Sequence, residues 1–113
     1  MTRLTLVRHG ETEGESSVRY HGRNDVPLSV VGRVQMTRAR DALAHERIDA
    51  VYASTLSRSV EAATIIAGEA VVVTRVAGFD EIDFGEWEGL TAQEIRARDP
   101  ERYAYWVGPR SDF

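Results

Sequence analysis

Residues 4–12 read Leu4-Thr5-Leu6-Val7-Arg8-His9-Gly10-Glu11-Thr12. The short apolar run over residues 4–7 breaks at His9-Gly10, which is the pattern of a buried strand that ends in a loop. From Gly10 to Pro27 apolar residues are sparse, and Ser29 then offers an N-cap to a helix. On that helix Val31, Met36, Ala39, Ala42 and Leu43 share one face, with Arg33 and Arg40 opposite. Residues 49–53 read as a second strand, and residues 54–57 lead into a helix carrying Val60, Ala63 and Ile66 that Gly68 stops. Residues 71–76 make a third strand. The alternation of strand and helix predicts an α/β domain in three layers, α/β/α, around a mainly parallel sheet with right-handed crossovers.

Beyond Gly78 the segment 79–89 is aromatic, acidic and glycine-bearing and reads as an ordered loop. Thr91 with Glu94 spells a capping box for a helix reaching about Asp99. Asp99-Pro100 then reads as the N-cap and first-turn proline of one more short helix through Tyr103 to Trp106. The cluster Trp87, Tyr103, Tyr105 and Trp106 is expected to pack into a core.

A chain of 113 residues is one domain at most, residues 1–113. With 14 basic and 18 acidic residues its net charge is 14 − 18 = −4, which argues against nucleic acid as a main partner. There is no cysteine, so disulfides, thiolate nucleophiles and Cys-based metal sites are excluded. Every basic residue is Arg, which excludes a P-loop lysine and Schiff-base chemistry. No stretch approaches the roughly 20 apolar residues of a membrane span, and the amino terminus lacks a signal-peptide layout, so a cytoplasmic location is expected. The three histidines show no metal-ligand spacing and G-x-G-x-x-G is absent, so neither a metal nor another cofactor is expected.

In an open parallel sheet, ligands bind outside the carboxyl ends of the strands. Arg8 and His9 follow the first expected strand, Arg58 follows the second, and Asp80, Glu81 and Asp83 follow the third. Two guanidinium forks at one sheet edge suit an anion, phosphate above all. Arg58 also falls in the first turn of a helix, where unpaired amides favour negative charge. A neutral His9 imidazole beside such a site can attack phosphorus while a neighbouring carboxylic acid protonates the departing oxygen. Gly10 is expected to let a ligand come close to the backbone.

The string Leu6-Val7-Arg8-His9-Gly10-Glu11-Thr12 resembles the signature of the histidine phosphatase superfamily, which includes the phosphoglycerate mutases. Tyr20-His21-Gly22-Arg23-Asn24-Asp25-Val26-Pro27-Leu28-Ser29, with Gly32 and Gln35, resembles that family's substrate-facing loop and the helix start after it. Ser54-Thr55-Leu56-Ser57-Arg58 resembles its second-strand motif. Glu81-Ile82-Asp83-Phe84-Gly85-Glu86-Trp87-Glu88-Gly89 resembles the segment with its general acid. The resemblance implies a phosphoglycerate mutase-like fold in which His9 accepts the phosphoryl group and Arg8 and Arg58 clamp its oxygens. Glu81 is then the proton donor, and His21 and Gly22 face the substrate.

Two departures accompany the resemblance. Glu15 stands where the family carries an Asn, with Ser16 or Ser17 as candidate replacements, and the family's second histidine, on a late strand, has no counterpart among His21 and His45. The chain is therefore expected to be an amino-terminal portion of such a domain. The wording of the Glu81 segment is more like the phosphatase branch, implying a metal-independent phosphomonoesterase acting on a small phosphorylated metabolite, with a homodimer left open. The alternatives are mutase-type phosphoryl transfer and a non-catalytic phosphate-binding half-domain.

Overall fold

Ser29 does cap a helix: its hydroxyl accepts the Gly32 amide at the start of α1 (Val30–Ala42) in the computed structural model, which describes residues 2–14 and 19–108. The chain continues through β1 (Val51–Ala53), α2 (Ser57–Ala67) and β2 (Val73–Arg75). Strands β1 and β2 pair in parallel, Val51 opposite Val73 and Ala53 opposite Arg75, with α2 as the crossover between them. The amide of Val76 extends the ladder to the Ala53 carbonyl at 2.7 Å. Gly68, at φ 58°, ends α2 where a side chain would be strained. The α/β class read from the sequence is thus present, and no helix among the described residues is long and apolar enough to cross a membrane.

Residues 4–7 differ from expectation. Among the described residues the sheet has two strands, and the 4–7 segment pairs with neither. Leu4 and Leu6 are 80% and 86% exposed. A strand is held by its ladder, and here the anchoring lies a few residues later. The Glu11 carbonyl accepts the Ser29 amide at 2.9 Å, Glu13 donates to the Pro27 carbonyl at 3.0 Å, and Thr12 forms an antiparallel bridge with Leu28.

That anchoring also decides which face of α1 is buried. The inward stripe is Gly32, Met36 and Ala39, at i, i+4 and i+7, while Val31 and Val34 remain half exposed. Leu28, Met36 and Ala62 form the core between α1 and α2, with Ile65 and Ile66 packed against them.

The carboxyl-terminal elements follow their local signals closely. Turns of 3₁₀ helix at Ala77–Phe79 and Gly85–Trp87 punctuate the loop. The capping box is complete at α3 (Ala92–Arg98), with the Thr91 hydroxyl accepting the Glu94 amide and the Glu94 carboxylate accepting the Thr91 amide. Pro100 opens α4 (Pro100–Val107), and Asp99, instead of capping it by side chain, accepts the Trp87 indole N–H at 3.0 Å.

Leu28 is wholly buried at the junction of the 10–13 segment, α1 and α2. Leu28→Ala is expected to lower the unfolding free energy by about 3 kcal/mol. Urea denaturation checks this as a lower midpoint at unchanged slope.

Candidate active site

His9 reaches its place because two glycines let two backbones touch. A Cβ on Gly32 would lie 1.9 Å from the Glu11 carbonyl oxygen, and one on Gly10 would lie 2.5 Å from the Gly32 oxygen. The Glu11 amide donates to the Gln35 side chain at 2.8 Å, so the segment after His9 lies directly on α1. Gly10 therefore serves close approach to a neighbouring helix. The His9 Nδ1 sits 2.8 Å from the Gly10 carbonyl oxygen. A carbonyl only accepts, so Nδ1 carries the proton and Nε2 keeps its lone pair in the neutral ring.

Arg58 occupies the first turn of α2 and is almost wholly buried, at 3% exposure. Its guanidinium donates to the Asn24 carbonyl at 2.7 Å and to the Gly22 carbonyl. Both partners are neutral and Arg58 has no carboxylate within ion-pair distance among the described residues, so a buried positive charge is left for an anion to match. Arg8 is exposed and likewise makes no ion pair there. The helix itself lacks a local side-chain cap. Asp25 supplies one from 32 positions upstream, accepting the Ser57 amide at 2.6 Å and the Ser57 hydroxyl at 3.0 Å.

The loop after β2 is tied back to the end of β1. Asp80 accepts the Thr55 amide at 2.8 Å and the Thr55 hydroxyl at 2.9 Å. These bonds favour the ionised form and hold the Asp80 carboxyl below the ordinary aspartate value. Next to it Glu81 is exposed, with one carboxylate oxygen accepting the Ile82 amide at 2.9 Å and its backbone carbonyl accepting from Arg23.

Gly22 is buried at φ 55°, and a Cβ there would lie 2.7 Å from the Glu88 carboxylate, the Ile82 carbonyl and the Phe84 ring alike. Glu88 in turn accepts the Arg23 amide at 2.8 Å. His21 donates through Nε2 to the Gly14 carbonyl at 2.8 Å, while its Nδ1 is buried with no hydrogen-bond partner among the described residues. Behind this loop Tyr20, Phe84, Trp87, Tyr103 and Trp106 form one aromatic cluster with ring centroids 5.3 to 6.1 Å apart. Tyr105 stays outside it, 82% exposed. Hydrogen bonding with Tyr103, followed by burial, raises the Tyr20 hydroxyl pKa.

One open cavity of about 1040 Å³ is lined by Arg8, His9, His21, Gly22, Arg58 and Glu81, which are all six site residues expected from the sequence. A smaller one of about 110 Å³ shares His9, Arg58 and Glu81. Glu15, Ser16 and Ser17 lie outside the described residues. Tyr20 and Gln35, quoted in the substrate-facing motif, also line the cavity, while the sequence reading missed Arg19 and Gln93 in its wall and the clamping roles of Asp25, Asp80 and Glu88. Each of those clamps bridges residues far apart in the chain, so no local pattern announces it.

Residues 4–113 match the description of the histidine phosphatase superfamily, branch 1. A bifunctional protein of Mycobacterium tuberculosis is 42% identical over 109 residues, covering 94% of this chain and 30% of that protein. Phosphoserine phosphatase 1 of Hydrogenobacter thermophilus is 35% identical over 108 residues, covering 95% of this chain and 51% of the relative. The crystal structure of the alpha-ribazole phosphatase from Shigella flexneri superposes with a TM-score of 0.79 at 27% identity, covering 90% of this chain and 51% of that one. The fold is thus phosphoglycerate mutase-like, and the chain spans from 30% to about half the length of these relatives.

The Asp80 clasp carries a pH signature. Its pKa is lower in the folded chain than in the unfolded one, so its stabilising contribution is present above the unfolded value and lost as pH falls through the folded value. Unfolding midpoints are therefore expected to drop on acidification below about pH 4. Asp80→Asn, which keeps an acceptor for Thr55 but cannot ionise, is expected to give a shallower acid limb in thermal melts from pH 2 to 7.

Proposed function

This chain belongs to the histidine phosphatase superfamily, and on that premise we propose that it hydrolyses phosphomonoesters through a phosphohistidine on His9. The observation that carries the reading is the convergence of His9, Arg8, Arg58 and Glu81, from three separate segments, on one cavity. Relatives described as phosphoserine and glucosyl-3-phosphoglycerate phosphatases support the same reaction class. His9 Nε2 attacks phosphorus with the pair that the Nδ1 hydrogen bond leaves available. The ester P–O bond breaks, and Glu81 as a carboxylic acid gives its proton to the leaving alkoxide. Water then attacks the phosphohistidine, its proton passing to the Glu81 carboxylate, and inorganic phosphate leaves with His9 restored. Arg8 and Arg58 hold the phosphoryl oxygens, the buried Arg58 charge being the stronger attraction because water screens it least. His21 and Gly22 bound the space for the organic part. The substrate is a small phosphorylated metabolite met in the cytoplasm, and neither step calls for a metal.

A second reading, binding of phosphate without turnover by the 113-residue chain alone, is favoured by the exposure of Leu4 and Leu6 immediately before the Arg8-His9 pair. Mutase-type transfer is the third; it predicts isomerisation of a phosphoglycerate with no net phosphate release.

Intact mass measured after exposure to a small phosphoryl donor and an alkaline quench is expected to show one phosphoryl adduct that maps to His9 and is absent from His9→Ala. Glu81→Gln is expected to lower turnover by about 100-fold or more while leaving adduct formation from an activated aryl phosphate, whose leaving group needs no proton. Absence of any adduct from a folded sample favours the second reading.

A further inference from the structure

Arg58 is held at both ends of its side chain, and the two holds come from one loop. Its guanidinium donates to the Gly22 and Asn24 carbonyls. Its backbone sits in the first turn of α2, immediately after Ser57, whose amide and hydroxyl both donate to the Asp25 carboxylate. Among the described residues, the hydrogen bonds that join residues 21–25 to that turn come from Asp25 and from the Arg58 fork alone. The other ties of this loop run elsewhere: the Arg23 amide donates to Glu88, its Nε donates to the Glu81 carbonyl, and the Leu28 amide reaches Glu61 further along α2.

An arginine side chain has many rotamers, so bonds to two carbonyls fix its direction only while those carbonyls keep their distance from the helix that bears it. The residue before α2 is Leu56, which offers no side-chain cap, so the separation between loop and helix start is set by Asp25. Asp25 itself is exposed and lines neither cavity. Its route to a bound anion therefore runs through Arg58.

We propose that Asp25 is a positioning residue for the phosphoryl site: by clasping Ser57 it keeps Arg58 and its two carbonyl partners in the arrangement that presents a buried guanidinium to the cavity. This rests on the phosphatase reading of that cavity. Without the clasp the arrangement is one of several, and affinity for phosphate falls with its share of the population.

The test is Kd for inorganic phosphate, by calorimetry on the full chain, together with the guanidinium signals of Arg58 in nitrogen-resolved proton spectra, assigned by their loss in Arg58→Gln. Asp25→Ala is expected to weaken phosphate by about five-fold, which corresponds to a competent share of about one fifth, and to merge guanidinium signals that are separate in the wild type. Asp25→Asn, which still accepts the Ser57 amide, is expected to stay within about two-fold of the wild type. In an Arg58→Gln background Asp25→Ala is expected to change Kd by less than about two-fold, as a residue acting through Arg58 requires. Ser57→Pro is the second route if Asp25→Ala folds poorly. Proline suits the first position of a helix and has no amide hydrogen, so it breaks the clasp while favouring the start of α2, and it is expected to give the same five-fold loss and the same merged signals. Unchanged phosphate affinity with separate guanidinium signals in either folded variant, or an equal loss with and without Arg58, overturns the proposal. A folded wild type that neither binds phosphate nor gives an adduct on His9 overturns the phosphatase reading itself and the inference with it.

Discussion

Two backbones in contact, with no side chain between them, hold this site together. Gly32 on α1 and Gly10 after His9 are each too close to the other's chain to carry a Cβ. With that approach in place, Glu11 reaches Ser29 and Gln35, Thr12 pairs with Leu28, and Leu28 is driven into the core between α1 and α2. The proposed nucleophile is therefore positioned by helix packing, and its tautomer is set by the same local backbone through the Gly10 carbonyl. Close packing of this kind tolerates little displacement, because interiors lose contacts steeply with small gaps.

Arg58 makes the complementary contribution. Burying a guanidinium is costly unless its donors are satisfied. The Asn24 and Gly22 carbonyls satisfy part of its fork without cancelling its charge. A carboxylate in direct contact would have offset that charge within the protein. Neutral partners keep the positive potential directed at the cavity, where desolvation of an incoming anion is repaid by an unscreened interaction.

Local patterns in the sequence were sufficient for Ser29, Gly68, the Thr91–Glu94 capping box and Pro100, because each acts within one helical turn. The candidate site residues Arg8, His9 and Arg58 were legible for a different reason, each following a segment read as a strand; Glu81 was singled out from Asp80 and Asp83 only by the resemblance of its segment, and all four line the cavity. Residues 4–7 misled, since a short apolar run signals a strand but does not say what it pairs with, and here no strand among the described residues pairs with it. The inward face of α1 was shifted from Val31 to Gly32 by a contact with Glu11, 21 positions away, that no periodicity contains. Asp25, Asp80 and Glu88 act over 32, 25 and 65 positions, so their roles emerge only once the chain has folded.

The Asp25 clasp joins events that a static description keeps apart. The loop that bears His21 and Gly22 also bears the carboxylate that caps α2, and α2 begins with Ser57 next to Arg58. Any outward excursion of this loop uncaps the helix and withdraws the two carbonyls that hold Arg58. Opening and loss of the anion-holding geometry are then one cooperative transition, not two. A bound phosphate, by favouring the closed arrangement, would slow amide exchange at Ser57 and along the first turn of α2 as well as in the loop it touches. Release of a bound anion would then be coupled to the fraying of a helix end.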